Sequence, residues 1–90
     1  MHRYYIVVSG MVQGVGFRYF VYYTATRLNL TGWVRNCDNG DVEIEVQGEK
    51  EILLNFINKI KKGNGFSDVK DVKIKTIEIM KNERSFKIYA

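Results

Sequence analysis

The sequence predicts an α+β domain of the ferredoxin-like β-α-β-β-α-β class: an antiparallel sheet with two helices on one face and an extra C-terminal strand. Three observations carry this expectation. Short runs rich in Val, Ile and Tyr alternate with two runs of helical spacing in the order this arrangement requires. A glycine-rich turn, Gly10 to Gly16, joins the first strand to the first helix. Asp41 to Gln47 alternates polar and apolar residues, as a strand with one covered and one wet face does. Ninety residues, 46% of them apolar, suffice for one core, so residues 1–90 are expected to form one domain.

Tyr4 to Ser9 reads as the first strand. Ile6, Val7 and Val8 form a continuous apolar run, which places it inside the sheet. Phe17, Phe20, Val21, Thr24 and Leu28 recur at helical spacing, so the first helix lays that stripe on the sheet. Tyr19, Tyr22 and Tyr23 lie around the stripe and read as packing rather than as a base-stacking platform. Asn29 ends the helix. Leu30 to Asn36 is the second strand, and Cys37-Asp38-Asn39-Gly40 is a hairpin turn. Beyond it Val42, Ile44 and Val46 face inward, while Glu43, Glu45 and Gln47 face water.

The second helix has Glu49 and Glu51 at its start, Lys59, Lys61 and Lys62 in its last turn, and Gly63 after it. That polarity suits the helix dipole and a glycine C-cap. Its apolar stripe is Ile52, Leu53, Phe56, Ile57 and Ile60. Gly63-Asn64-Gly65 reads as a flexible loop. Val69 to Ile79 is the fourth strand. Val72 and Ile74 share one phase, Ile77 and Ile79 the other, so a bulge or bend is expected near Thr76. Asn82-Glu83 is a turn, and Ser85 to Tyr89 closes the sheet.

The net charge of +4 is uneven: residues 1–49 carry four basic and five acidic side chains, residues 50–90 ten and five. The lysines of the second half alternate with apolar residues, as in Lys73-Ile74-Lys75, which reads as a solvated face rather than a nucleic-acid surface. No run of 18 apolar residues is present, so no membrane span is expected. The N-terminus enters a strand pattern without a signal-peptide core, and a single cysteine excludes an internal disulfide; a cytoplasmic protein is the expectation. His2 and Cys37 are the sole histidine and cysteine, and no cluster has metal-ligand spacing. Cys37 sits in a hairpin turn rather than an anion loop, and Ser9 has no evident base partner.

Gly10-Met11-Val12-Gln13-Gly14-Val15-Gly16-Phe17-Arg18 is the chemically informative stretch. Glycine permits positive φ and close approach to the backbone. A glycine-rich turn that opens a helix leaves N–H groups free at the positive end of the helix dipole, where an anion fits. Arg18 adds a planar, permanently charged fork suited to phosphate oxygens. No Gly-Lys-Ser/Thr follows, and Tyr19 stands where a dinucleotide fingerprint needs its third glycine. The turn alone also fits a tight strand-to-helix connection with a surface arginine. In the expected topology the end of the second strand shares this edge of the sheet, which brings Asn36 near. Its amide offers a donor and an acceptor.

The stretch Gly10 to Arg18 resembles the acylphosphatase signature at every fixed position: Gly, any residue, Val-Gln-Gly-Val, any residue, Phe, Arg. Gly32-Trp33-Val34-Arg35-Asn36, followed by Gly40, Val42 and Gly48, resembles the second signature of that family. The resemblance implies the same fold and hydrolysis of the carboxyl–phosphate bond of acyl phosphates to a carboxylate and inorganic phosphate. It implies that Arg18 binds phosphate and stabilises transition-state charge, that Asn36 orients the attacking water, and that the backbone of Val12, Gln13, Gly14, Val15, Gly16 and Phe17 cradles the phosphate. No metal, cofactor or covalent phosphoenzyme is implied. The partners expected are a small acyl phosphate, and phosphate as product and competitive inhibitor, for a monomer that binds neither nucleic acid nor membrane. Two departures stand out: Cys37 and Asp41 occupy places where many relatives carry hydroxyl residues. The first would weaken support of Asn36, and the second adds negative charge near an anion site. Two alternatives share the fold. An RNA-binding module would need basic and aromatic residues on strand three, which instead reads Val42-Glu43-Ile44-Glu45-Val46. A carbamoyl-phosphate-handling domain would belong to a larger maturation protein, whereas a starting methionine and a whole fold in 90 residues favour a stand-alone enzyme.

Overall fold

A computed structural model describes residues 1–90. The elements are β1 (His2–Met11), α1 (Phe17–Arg27), β2 (Thr31–Asn36), β3 (Val42–Gly48), α2 (Lys50–Lys62), β4 (Asp68–Ile77) and β5 (Phe86–Ile88). They form one sheet of order β4-β1-β3-β2-β5. The first four strands pair antiparallel. β5 runs parallel to β2, so the sheet is mixed rather than wholly antiparallel. The chain crosses from the β4 edge to the far edge of the sheet before β5 begins, and it enters there in the direction of β2. Gly32 N–H donates to Ser85 O at 3.2 Å and Tyr89 N–H to Val34 O at 2.9 Å across this pairing.

The core lies between the two helices and one face of the sheet. Ile6, Val8, Val34, Val42, Ile44 and Val46 supply the sheet side; Leu53, Phe56, Ile57 and Ile60 of α2 pack on it, all buried. In α1 the buried line is Phe17, Val21 and Ala25, while Phe20, Thr24 and Leu28 of the expected stripe are half-buried at its flank. A four-residue repeat keeps one line against the sheet, and small Ala25 lets the helix sit close. Ile52 of the expected α2 stripe is exposed, being rotated off the line through Leu53, Phe56, Ile57 and Ile60.

The expected irregularity of β4 falls elsewhere. Pairing with β1 is continuous from Arg3↔Ile77 to Ser9↔Asp71 and then steps to Gly10↔Val69, so the extra residue is Lys70, not Thr76. Gly10 makes the bulge possible: its φ is +126°, and a Cβ there would lie 2.2 Å from Asp68 O. Ile74 is exposed on this edge strand, so its two apolar phases need no reconciliation by a bend.

The alternation of β3 holds, but its second face is not wet. The β4–β5 connection folds over it and brings Met80 and Glu83 onto the sheet. Arg3, fully buried, donates from Nε to Glu45 Oε1 at 2.9 Å, and from Nη1 to Glu83 Oε1 at 2.7 Å and Gln47 Oε1 at 3.2 Å. Gln47 clamps the Met80 backbone, donating to its carbonyl at 2.9 Å and accepting its N–H at 2.8 Å. Burial alone would lower the Arg3 pKa, but its bonds to Glu83 and Glu45 outweigh that and raise it. Nearby, the buried Glu43 accepts from Tyr5 OH at 2.5 Å and from Arg35 Nε. Burial pushes the Glu43 carboxyl up, yet these two donors together hold it below the usual range. The bond to Glu43, aided by burial, pushes the Tyr5 phenol up to about 12.

Two outcomes follow from these polar clusters. Arg3→Met strands two carboxylates in a partly dry layer and should lower stability by about 3 kcal/mol, read as a fall in the urea midpoint. Tyr5 titrates later when folded than when unfolded, so its contribution is whole below pH about 10 and is lost as pH climbs toward 12. Urea midpoints measured across that window should fall more steeply for the wild type than for Tyr5→Phe.

Candidate active site

β1 leaves the sheet at Met11 and α1 begins at Phe17. Val12 and Phe17, at the two ends of the connecting loop, are both buried in the core. The backbone between them is thus anchored at each end. Gly16 is the N-cap of α1 with φ +77°, and it supplies no side chain to cap the helix. One backbone hydrogen bond forms in this stretch outside the regular elements, Phe20 N–H to Gly16 O at 3.1 Å. The N–H groups from Gly14 to Tyr19 keep no protein acceptor, as the open N-terminus of a helix requires.

Gln13 ties this loop to the β2–β3 turn. Its Nε2 donates to Cys37 O and to Asp41 O, each at 2.8 Å, using both amide hydrogens. Those carbonyls flank the turn that begins one residue after Asn36. Within the turn Cys37 N–H donates to Asp41 O at 2.8 Å, and Asp41 N–H to Asn39 Oδ1 at 3.0 Å. Asn36 ends β2 opposite Val42. Its Oδ1 is buried and has no hydrogen-bond partner, a state that native folds seldom leave unexplained. Arg18, in the first turn of α1, donates from Nη1 to Tyr89 O at 2.5 Å.

A cleft of about 130 Å³ gathers Val12, Gln13, Gly14, Gly16, Phe17, Arg18 and Asn36, and Tyr19 joins them. Val15 is the expected residue that does not line it: it packs against the core. Its carbonyl accepts from Asn64 Nδ2 at 2.9 Å. Size does not single this cleft out. Depressions of about 460 Å³ between α1 and α2 and about 540 Å³ beside Trp33 are larger. What distinguishes it is chemistry: a guanidinium, an unpaired amide oxygen and a run of unpaired N–H groups.

Cys37 and Asp41 do not line the cleft. The Asp41 carboxylate accepts from Asn39 Nδ2 at 3.2 Å within the turn. Burial, with the Glu43 and Asp41 carboxylates, pushes the Cys37 thiol up, which keeps it protonated and a poor nucleophile near neutrality. No three His, Cys, Asp or Glu side chains gather as a metal group.

Three contributors escaped sequence reasoning: the Gln13 side chain, Asn64 and Tyr19. Gln13 carried a signal, since a long amide between glycines and apolar residues has to find partners. Asn64 carried none, because its tie to Val15 spans 49 positions.

The comparisons fit this architecture. A model of the acylphosphatase family matches residues 4–88. An acylphosphatase of Clostridium beijerinckii is 51% identical over 88 residues, covering 98% of each chain. The crystal structure of acylphosphatase from Bacillus subtilis superposes with a TM-score of 0.95 at 41% identity, covering all of both chains. Full-length HypF in its phosphate- and nucleotide-bound form matches 99% of this chain at 34% identity and TM-score 0.84, but that covers only 12% of HypF. The chain belongs to the acylphosphatase family.

Gln13→Ala should remove one of the two hydrogen bonds at each of the Cys37 and Asp41 carbonyls and cost about 2 kcal/mol in a urea titration. Amide exchange should accelerate at Cys37 and Gly40 in the same variant.

Proposed function

We propose that this acylphosphatase hydrolyses acyl phosphates in the cleft between the Val12–Phe17 loop and Asn36. The observation that carries the assignment of roles is the buried, unpartnered Asn36 Oδ1 in the same cleft as Arg18. The phosphoryl oxygens take the unpaired N–H groups of the Val12–Phe17 loop and the Arg18 guanidinium. A water molecule donates to Asn36 Oδ1, which aims its lone pair at phosphorus. The water oxygen bonds to phosphorus as the bond from phosphorus to the acyl oxygen breaks, and that electron pair leaves on the carboxylate. The water proton passes to a phosphoryl oxygen of the substrate. Such a transfer needs positioning and charge stabilisation more than covalent help. Inorganic phosphate, as product, competes for the same cradle.

The enzyme acts alone, as a cytoplasmic monomer of one domain. Every group assigned a role comes from a single chain, and the match to the C. beijerinckii enzyme spans 98% of both chains. No helix is long and apolar enough to cross a membrane.

Benzoyl phosphate hydrolysis, followed with a chelator present, tests the roles. Arg18→Ala and Asn36→Ala should each lose on the order of 100- to 1000-fold in turnover. Phosphate inhibition should vanish in Arg18→Ala and persist in Asn36→Ala. Near-normal turnover in Asn36→Ala would remove the water-orienting role.

A further inference from the structure

We infer that Asn64, in the α2–β4 loop, is a positioning residue that locks the Val15–Gly16 peptide of the phosphate cradle in its donating orientation. This rests on the reading of the cleft as the phosphoryl site. A peptide unit is a rigid plane, so the Val15 carbonyl and the Gly16 N–H are fixed relative to one another. Holding the carbonyl therefore aims the N–H. The plane needs holding: Gly16, at φ +77°, lacks the Cβ that restricts rotation at other residues, and Gly14 on the other side of Val15 has φ +73°. The Gly16 N–H makes no bond within the chain that would fix the plane.

Asn64 supplies the missing tether and is itself immobilised. Its Nδ2 donates to Val15 O at 2.9 Å. Its Oδ1 accepts from Phe66 N–H at 3.0 Å and Ser67 N–H at 2.9 Å, and its own N–H donates to Ser67 Oγ at 3.2 Å. The segment expected to be a flexible loop is thus an ordered turn built around one side chain. That side chain has two separable halves: the oxygen holds the turn, and the nitrogen holds the cradle.

Asn64→Asp separates them. The introduced carboxylate keeps the two acceptor bonds of the turn and cannot donate to Val15 O. Asn64→Ala loses both halves. Phe66→Asp places the same charge on a side chain that is 79% exposed in the same loop, without touching the cradle. For each protein, the inhibition constant of inorganic phosphate, KM and kcat for benzoyl phosphate, and the urea midpoint would be measured. Both Asn64 variants should weaken phosphate inhibition about tenfold and raise KM in parallel. Asn64→Asp should keep a near-wild-type urea midpoint, and Phe66→Asp should leave inhibition within about twofold of wild type, since an exposed charge in solvent interacts weakly. An unchanged inhibition constant in Asn64→Asp overturns the inference, as does an equal loss in Phe66→Asp, which would reduce the effect to charge. A wild-type chain that neither binds phosphate nor hydrolyses benzoyl phosphate overturns the proposed function and this inference with it; failure confined to the variants overturns the inference alone.

Discussion

A backbone that binds an anion must keep its N–H groups unpaired and still hold them still. The proposed phosphate site sets that conflict in the Val12–Phe17 loop. Ordinary secondary structure orders a chain by using up its donors, so the loop from Val12 to Gly16 is ordered in other ways. Val12 and Phe17 bury its ends in the core. Gln13 and Asn64 then reach it through side-chain amides, one as donor from the loop and one as donor to it. Each contact involves a carbonyl or a side chain, and none consumes a cradle N–H. The loop therefore gains rigidity from one carbonyl and one side-chain amide and spends none of its backbone N–H groups.

The same logic of buried polar groups shapes the opposite side of the sheet. Arg3, Glu45, Gln47 and Glu83 form a network that closes only when the β4–β5 connection lies across β1 and β3. Glu43, Tyr5 and Arg35 form a second. Because such groups are costly to strand and close to neutral when fully paired, they define which segment covers this face more than they add to stability. The Met80 backbone, clamped by Gln47, shows that definition at work.

Much of this was legible in the residues. The seven-residue alternation at Asp41 to Gln47 set the phase of β3 correctly, and the charge polarity of α2 located its ends. The glycines and Arg18 marked the loop that opens α1, and topology brought Asn36 into the same cleft. The illegible parts share a cause: they depend on contacts distant in sequence. Periodicity tells which side of β3 is polar but not that a later segment will cover it. Arg3 gives no strand signal, yet pairing with Gln47 extends β1 through it. The bulge at Lys70 is dictated by how closely Gly10 lets Asp68 approach, a fact about the partner strand rather than about β4. The parallel run of β5 is a property of its entry point, which local composition does not encode.

Arg18 and the carbonyl that holds it lie 71 positions apart. That carbonyl belongs to Tyr89, just past β5, the last element in chain order and one paired with β2 over only three residues. The Gln13 and Asn64 ties to the Val12–Phe17 loop involve no part of Tyr89, so they can form while the Arg18 guanidinium is still unanchored. Anchoring of Arg18 waits on the docking of a short, long-range, parallel strand, a slow kind of contact to make. The far end of the chain thus holds the guanidinium that lines the proposed site.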